Sequence, residues 1–352
     1  METKILNLHS DKSCFLVFGT QKQKQKIQEE LAVTPIKLYG KDMKQKQKEK
    51  YLGDFLHVNG NGASVTATVN DRAGRIVTGM YDIRHVIENC RSNQLGSLKA
   101  GIHMWETAYI PSLLNNCKTW VELPVATLNK LEDLQNQFYR IILNCPRSTP
   151  KPALIWELGG RKIKWRIIQE KLVFMNHILQ LDPSSLAKQV QEIQEKENLP
   201  GLTQECKEYI VMLELPNLFE ENISKAGWKT MVKSAIRKEN EREVLEAMNG
   251  YKKLKERPIV RESLGMKDYV EKLSLYEARI IFKHKSSMSR YVKMNYKGDK
   301  KYKQEGWKCD DCLQLDTEDH LLSCIGYEEL RKNLNLEINK DLAAYLHKIY
   351  MK

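Results

Sequence analysis

Long apolar runs are absent from the 352-residue sequence. Its uninterrupted apolar stretches, such as residues 14–18, reach only five residues, whereas a membrane-spanning helix needs about 20. The first residues, METKILNLHSDK, contain neither an apolar signal region nor a cleavage-site pattern. We therefore predict an intracellular protein, located in the nucleus or the cytoplasm, without a membrane partner.

Cysteines are few and mostly isolated. Eight cysteines in 352 residues give no reason to expect a disulfide framework. In a reducing compartment, isolated cysteines are free thiols that pack as small apolar residues. Five cysteines fall in this class: Cys14, Cys90, Cys117, Cys145 and Cys206. The other three lie close together near the C-terminal end of the chain.

Acidic residues are outnumbered, with 45 Asp and Glu against 57 Lys and Arg and a net charge of +12. Such a chain is expected to have an anionic partner, of which nucleic acid is the usual one. Residues 283–303 contain eight Lys or Arg, one acid and three interleaved tyrosines. Basic side chains can neutralise phosphates and aromatic ones can stack on bases, although charge alone is equally compatible with a solvated surface strip.

The first 60 residues predict a small β-containing unit. Residues 13–19 and 49–58 contain short apolar runs that end in glycine or in polar turns, which is typical of strands. The alternating sequences QKQKQK (21–26) and KQKQKEK (44–50) have no apolar face. We predict that both are exposed loops or extended strand ends.

From about Ile76 onward the pattern is helical. Apolar residues at helical spacing predict one helix over 128–142 and a second over 165–179, and the prolines and glycines of 144–160 predict a linker between them. Residues 225–255 predict a charged helix. A basic group at the start of the second helix is a candidate phosphate-binding face: Arg161, Lys162, Lys164, Arg166 and Lys171.

The sequence WKCDDCLQLDTEDHLLSC contains a C-x2-C-x7-H-x3-C motif formed by Cys309, Cys312, His320 and Cys324. A C-x2-C pair usually lies on a tight turn that directs both sulfurs towards one ion. Asp316 or Thr317 is a suitable N-cap for a following helix, on which positions 320 and 324 project from one face. Three thiolates and one imidazole form a closed tetrahedral site, which predicts structural zinc.

Residues 278–324, in which a basic segment leads into this motif, resemble the C-terminal tail of non-LTR (LINE-type) retrotransposon reverse transcriptases. The family motif ends in Glu-His-Leu-Leu-x-Cys, and Asp319 stands here in place of the glutamate. Upstream, residues 6–19 are similar to a palm segment, residues 49–57 to a primer-gripping hairpin, and residues 139–163 to a stretch that follows the thumb.

The resemblance implies a mainly α fold with a small N-terminal α+β or β-hairpin remnant of a polymerase palm, a helical thumb-like region and a small C-terminal zinc knuckle module. The expected division is 1–60 for the palm remnant, 61–181 for the thumb-like region, 182–282 for a helical connector and 283–352 for the basic segment with its zinc module. Tyr51, Leu52 and Gly53 match the primer grip, and Lys12 matches a palm lysine.

The expected partners are RNA and DNA in the form of a primer–template, together with an upstream polymerase fragment supplied in trans. The candidate nucleic-acid-binding residues are Arg161, Lys162, Lys164, Arg166, Lys283, Lys285, Arg290 and Lys293.

The carboxylates that a polymerase needs are missing. Reverse transcription uses two divalent ions held by aspartates, which the family carries upstream of the segment that contains Lys12. Eleven residues precede Lys12, and no Tyr-x-Asp-Asp occurs anywhere. We therefore expect no polymerase activity from this chain and Mg²⁺ only in a full-length parent. Three interpretations follow: a truncated element that still binds primer–template and zinc, an incomplete gene model of an active polymerase, or a helical protein-interaction scaffold.

Overall fold

The computed structural model describes residues 13–89, 97–221, 223–251, 254, 263–286, 309, 312–314, 318–332, 334 and 338–351. The structure is mainly helical, as the predicted fold class requires. None of the described helices is both long enough and apolar enough to cross a membrane. The predicted residues Lys12, Arg290 and Lys293 lie outside the described residues, as do Asp316 and Thr317.

Three two-stranded sheets form the β part of the described N-terminal region. Strand β1 (Cys14–Phe15) pairs in parallel with β4 (Lys44–Gln45), and β2 (Lys37–Leu38) pairs antiparallel with β3 (Lys41–Asp42). Strand β5 (Lys48–Tyr51) forms an antiparallel hairpin with β6 (Asp54–His57). Much of the alternating stretch 44–50 is therefore extended, which is one of the two forms predicted for it.

The other alternating stretch forms a helix and not a loop. Helix α1 (Gln21–Val33) begins at a capping box, in which the Thr20 side chain accepts from the Gln23 backbone N–H and the Gln23 side chain accepts from the Thr20 N–H. Gln, Lys and Glu are good helix formers, and this local preference is sufficient here. The helix buries none of its residues, so the predicted exposure is confirmed although the predicted loop was wrong.

Helix α2 (Asn61–Asn89) packs against β6 and α5 (Val125–Leu143). It begins well before the predicted onset of helix near Ile76. Two hydroxyls on α2 fasten the hairpin, because Thr68 Oγ1 accepts the Phe55 N–H at 2.8 Å and Ser64 Oγ accepts the His57 N–H at 2.9 Å. Between α2 and α5, the described residues form four short elements: α3 (Leu98–Met104), a π-helical turn (Trp105–Tyr109), α4 (Ile110–Leu113) and a 3-10 turn (Cys117–Thr119).

The predicted linker contains a short helix of its own, α6 (Lys151–Glu157). Of the three prolines in this linker, Pro146 and Pro150 precede the helix and Pro152 lies in its first turn, where the missing N–H of proline is tolerated. Gly159 follows with φ of +65°, and a side chain there would approach the Met266 backbone nitrogen to 2.3 Å. Gly159 is therefore needed for a close backbone contact with the segment before α11 (Asp268–Lys272).

Helix α7 (Ile163–Leu179) separates two hydrophobic cores. Ile163 and Ile167 belong to the larger core, whereas Trp165 and Ile168 belong to a smaller one formed with α9 (Leu202–Met212) and α10 (Lys225–Asn249). The helices predicted over 128–142 and 165–179 are thus confirmed as α5 and α7. Helix α10 ends before Gly250, earlier than the predicted end near residue 255.

The remaining described elements are mostly short. Helix α8 (Leu186–Lys196) packs on α7 and α9. The larger core extends through α12 (Leu275–Lys285) into the C-terminal part of the chain. That part comprises α13 (Glu318–Ser323), a 3-10 turn (Ile325–Tyr327), α14 (Glu328–Arg331) and α15 (Lys340–Met351).

Candidate functional site

The four side chains of the Cys-His motif meet in space. The ligand atoms of Cys309, Cys312, His320 and Cys324 all lie within 4.8 Å of one another. Cys324 Sγ is 3.5 Å from Cys309 Sγ and 3.6 Å from Cys312 Sγ, and Cys312 Sγ is 3.2 Å from His320 Nε2. A tetrahedron built on zinc–sulfur bonds of about 2.3 Å has edges of about 3.8 Å, whereas a disulfide joins its sulfurs at about 2.05 Å. The spacing therefore fits a shared metal ion and excludes a disulfide.

Local backbone structure sets this geometry. Leu313 has a left-handed φ of 62°, its N–H donates to the Cys309 carbonyl, and the Cys309 N–H donates to the Gln314 carbonyl. These contacts close the knuckle that carries the first two cysteines. Helix α13 then brings His320 and Cys324 together, since the Cys324 N–H donates to the His320 carbonyl at 2.7 Å.

The group is largely shielded from water. Cys309, Cys324 and His320 are buried and Cys312 is partly buried. Burial, together with the two neighbouring sulfurs, raises the pKa of Cys324 to about 12. Metal binding requires thiolates, so the Cys324 sulfur needs a bound cation to carry negative charge at neutral pH.

The Cys-His group is connected to the larger core through its own helix. Leu321 and Tyr327 are buried there, and the Tyr345 hydroxyl on α15 donates to the Leu321 carbonyl at 2.6 Å. Helix α15 in turn packs against α12, and the Tyr276 hydroxyl is hydrogen-bonded to the His347 ring. Loss of the metal-binding geometry is therefore expected to weaken the docking of α15 on α12.

The turn predicted as primer-grip-like is exposed and firmly held. Tyr51 pairs with Asp54, so Leu52 and Gly53 form a two-residue turn in which both φ angles are positive, 48° and 90°. Tyr51 and Leu52 are 64% and 77% exposed. The tip therefore presents an aromatic and an apolar side chain to solvent.

Sequence reasoning missed the residue that holds this turn, Arg72. Its Nη2 donates to the Gly53 carbonyl at 3.1 Å and to Asp54 Oδ1 at 2.7 Å, and its Nη1 donates to the Asn115 carbonyl at 2.6 Å. The side chain is only 4% exposed. The sequence could have indicated this role, because Arg72 falls at helical spacing among the apolar residues of the buried face of α2. A cation is rarely found at such a position unless it is paired.

Most of the basic group around the start of α7 is paired with carboxylates. Lys162 and Lys164 both bind Glu243, at 3.2 and 2.5 Å. Arg166 makes a bidentate pair with Glu106 at 2.7 and 2.6 Å, and the buried Lys171 pairs with Glu205. These pairs give the four cations a structural role, which revises the expectation of an open phosphate-binding face. Arg161 donates to Gln169 and has no carboxylate within ion-pair distance in the described part of the chain.

The first N–H groups of α7 are also satisfied internally. Glu132 accepts the Lys164 N–H at 2.9 Å, and Asn240 accepts the Lys162 N–H at 3.1 Å. Burial raises the pKa of Glu132, although the backbone N–H groups of Lys164 and Ile163 oppose the rise. A phosphate at this helix end would have to displace a carboxylate and an amide.

Two candidates from the basic segment lie at the end of α12. Lys285 is 3.3 Å from Glu157 Oε2, and the same oxygen accepts from the Tyr269 hydroxyl at 2.7 Å. Because Glu157 is fully buried, Lys285 contributes to the core. Lys283 is partly buried, and burial lowers its pKa. Of these two lysines, Lys283 alone keeps the role of a candidate phosphate contact.

Within the described residues, the Cys-His group is the cluster in which three or more metal-ligating side chains could share an ion. It can hold a metal through three sulfurs and one nitrogen, which are the four ligands that a tetrahedral structural site uses. Comparisons of the chain with protein-family models, with curated proteins and with solved structures found no match.

Proposed function

We propose that this chain binds nucleic acid in the form of a primer–template and carries a structural zinc ion, in the manner of the C-terminal part of a non-LTR reverse transcriptase. The observation that carries the proposal is the tetrahedral spacing of Cys309, Cys312, His320 and Cys324. These residues come shortly after a 21-residue segment, 283–303, with eight basic residues and one acid. Zinc is the metal that three soft thiolates and one imidazole select in a closed site.

The exposed β5–β6 turn supports the nucleic-acid part of the proposal. Tyr51 offers a ring for stacking and Leu52 an apolar contact, and Arg72 fixes the turn so that little entropy is lost on binding. Charged contacts come from the basic segment and from cations that have no carboxylate partner among the described residues, of which Arg161 and Lys283 are two. RNA and DNA strands share the phosphates and bases that these groups recognise, and a polymerase fragment supplied in trans would complete the catalytic machinery.

We expect no polymerisation by this chain alone. The sequence contains no Tyr-x-Asp-Asp, and the acidic pair Asp310-Asp311 lies within the proposed zinc knuckle. Two magnesium ions need carboxylates placed on both sides of them. Mg²⁺ therefore belongs to the complete polymerase and not to this stretch of chain.

The test combines three measurements on one preparation of the full chain. Purified protein made with zinc should contain about one zinc per chain, bind a labelled primer–template at about 0.1 M salt, and give background primer extension with magnesium and nucleotides. Zinc content near zero would refute the metal assignment. Absence of binding would refute the nucleic-acid assignment, and extension above background would reveal a metal-holding carboxylate pair.

A protein-interaction scaffold is the second candidate, and helix α8 favours it. Leu186, Val190 and Ile193 on this helix are exposed, whereas Gln191 on its polar side is buried. An amphipathic helix usually buries its apolar face, so this reversed orientation leaves an apolar strip available to another protein. Primer–template binding with a steep salt dependence separates the first candidate from the second.

A further inference from the structure

The first half of α10 carries a row of exposed cations that recur every four residues: Lys225, Lys229, Lys233 and Arg237. Consecutive members are separated by about 6 Å along the helix axis, and the row extends for about 18 Å. The buried residues of α10 have the same four-residue spacing, so the row keeps a constant position beside the buried line. This spacing is comparable to that of successive phosphates along a nucleic-acid strand.

The row has no carboxylate within ion-pair distance in the described part of the chain. The acids in the second half of the same helix have other partners. Glu239 and Glu246 both bind Arg242, and Glu243 binds Lys162 and Lys164 at the start of α7. Glu241 accepts a backbone N–H from the segment before α11. Among the described residues, the acids in the second half of α10 thus have partners, whereas the cations of the row in its first half are not paired with a carboxylate.

Helix stability does not explain this division. Like charges four residues apart on a helix repel one another, and the row contains three such pairs. The helix has no acid in its first turn and no base in its last turn, which is the reverse of the order that its macrodipole favours. Both the like-charge repulsion and the helix macrodipole disfavour this arrangement. Such an arrangement is expected where the cations bind an external anion.

We propose that the row Lys225, Lys229, Lys233 and Arg237 is a contact surface for the phosphate backbone of a nucleic acid, with each cation facing one phosphate. The inference rests on the proposed function and identifies where that function meets the backbone. Glu220 and Glu221 precede the helix and limit the surface at its N-terminal end.

The test compares two variants with the same change in net charge. The row variant carries Lys225→Gln, Lys229→Gln, Lys233→Gln and Arg237→Gln. The control variant replaces four exposed cations that already pair with carboxylates: Lys99, Lys151, Arg242 and Lys272. Primer–template affinity is measured by fluorescence anisotropy over a series of salt concentrations.

Each neutralised phosphate contributes about 0.9 to the slope of log affinity against log salt on a duplex and about 0.7 on a single strand. The row variant should therefore reduce the slope by about 3, and the control variant by less than about 1. Equal reductions in the two variants would overturn the inference, because general attraction would then explain the binding. Unchanged binding by the row variant would also overturn it while leaving the proposed function intact. No binding by the wild type would overturn both.

Thermal unfolding separates a binding role from a structural one. Without nucleic acid, the row variant should melt no lower than the wild type at low salt, because it removes like-charge repulsion. A lower melting temperature would show that the cations stabilise α10 and would count against the inference.

Discussion

Replacing Arg72 by alanine should release the β5–β6 turn from the body of the protein. The guanidinium is the common partner of the Gly53, Leu113 and Asn115 carbonyls and of the Asp54 carboxylate. Removing one member of a buried ion pair costs about 3–5 kcal/mol. Asp54 keeps 24% of its side chain exposed and can regain water, so we expect the lower end of this range, about 3 kcal/mol.

Hydrogen exchange measures this loss locally, which matters because two cores in one chain need not unfold together. The amides of Phe55 and His57 report on the hairpin, since both donate to hydroxyls on α2. A loss of about 3 kcal/mol should speed their exchange roughly 100-fold. Arg75→Ala is the matched control, because Arg75 lies on the same helix in an exposed pair with Asp71, and it should change exchange less than about threefold. If exchange in Arg72→Ala accelerates less than about fivefold, Arg72 does not hold the β5–β6 turn in place.

Further predictions concern the metal group, the partly buried carboxyl of Glu132 and the smaller core. Cys312→Ser should lose the bound zinc and make α13 and α15 sensitive to protease, whereas Cys145→Ser should keep both properties; zinc retained by the first variant would contradict the ligand assignment. Burial raises the pKa of Glu132 above its unfolded value, so its contribution to stability falls as pH rises from about 4.5. Glu132→Gln should therefore unfold at no lower denaturant concentration than the wild type at pH 7, and any gain should vanish near pH 4; a loss at pH 7 would show that the ionised carboxylate is required. Trp228→Ala should cost about 3–5 kcal/mol in chemical denaturation, because the fully buried indole also donates to the Leu172 carbonyl; a cost below about 1 kcal/mol would contradict its place in the core.

Periodicity and spacing were the reliable signals in this sequence. The apolar stripes of α5 and α7 lie on buried faces, because a helix of this length must bury a continuous apolar strip. The four metal-ligating residues come together because a knuckle and one helical turn are local structures. Helix α1 was missed since it has no apolar stripe, although its capping residues Thr20 and Gln23 are visible in the sequence.

The ion pairs between residues far apart in the chain could not be predicted from the sequence. The partner of Lys164 lies 79 residues away in Glu243, and that of Arg166 lies 60 residues away in Glu106. A cluster of cations in sequence is therefore no guide to uncompensated charge, which depends on what the fold brings opposite each group. The row on α10 shows the converse, because its cations are ordinary in sequence and are distinguished only by the partners they lack among the described residues.

The most direct test of nucleic-acid binding is the salt dependence of wild-type, zinc-loaded protein on a primer–template. Four cations on α10 and those of the basic segment should together neutralise about six or more phosphates, so affinity should fall roughly 1000-fold or more between about 50 and 200 mM salt. An affinity that changes less than about threefold over that interval would contradict the account and favour the protein scaffold.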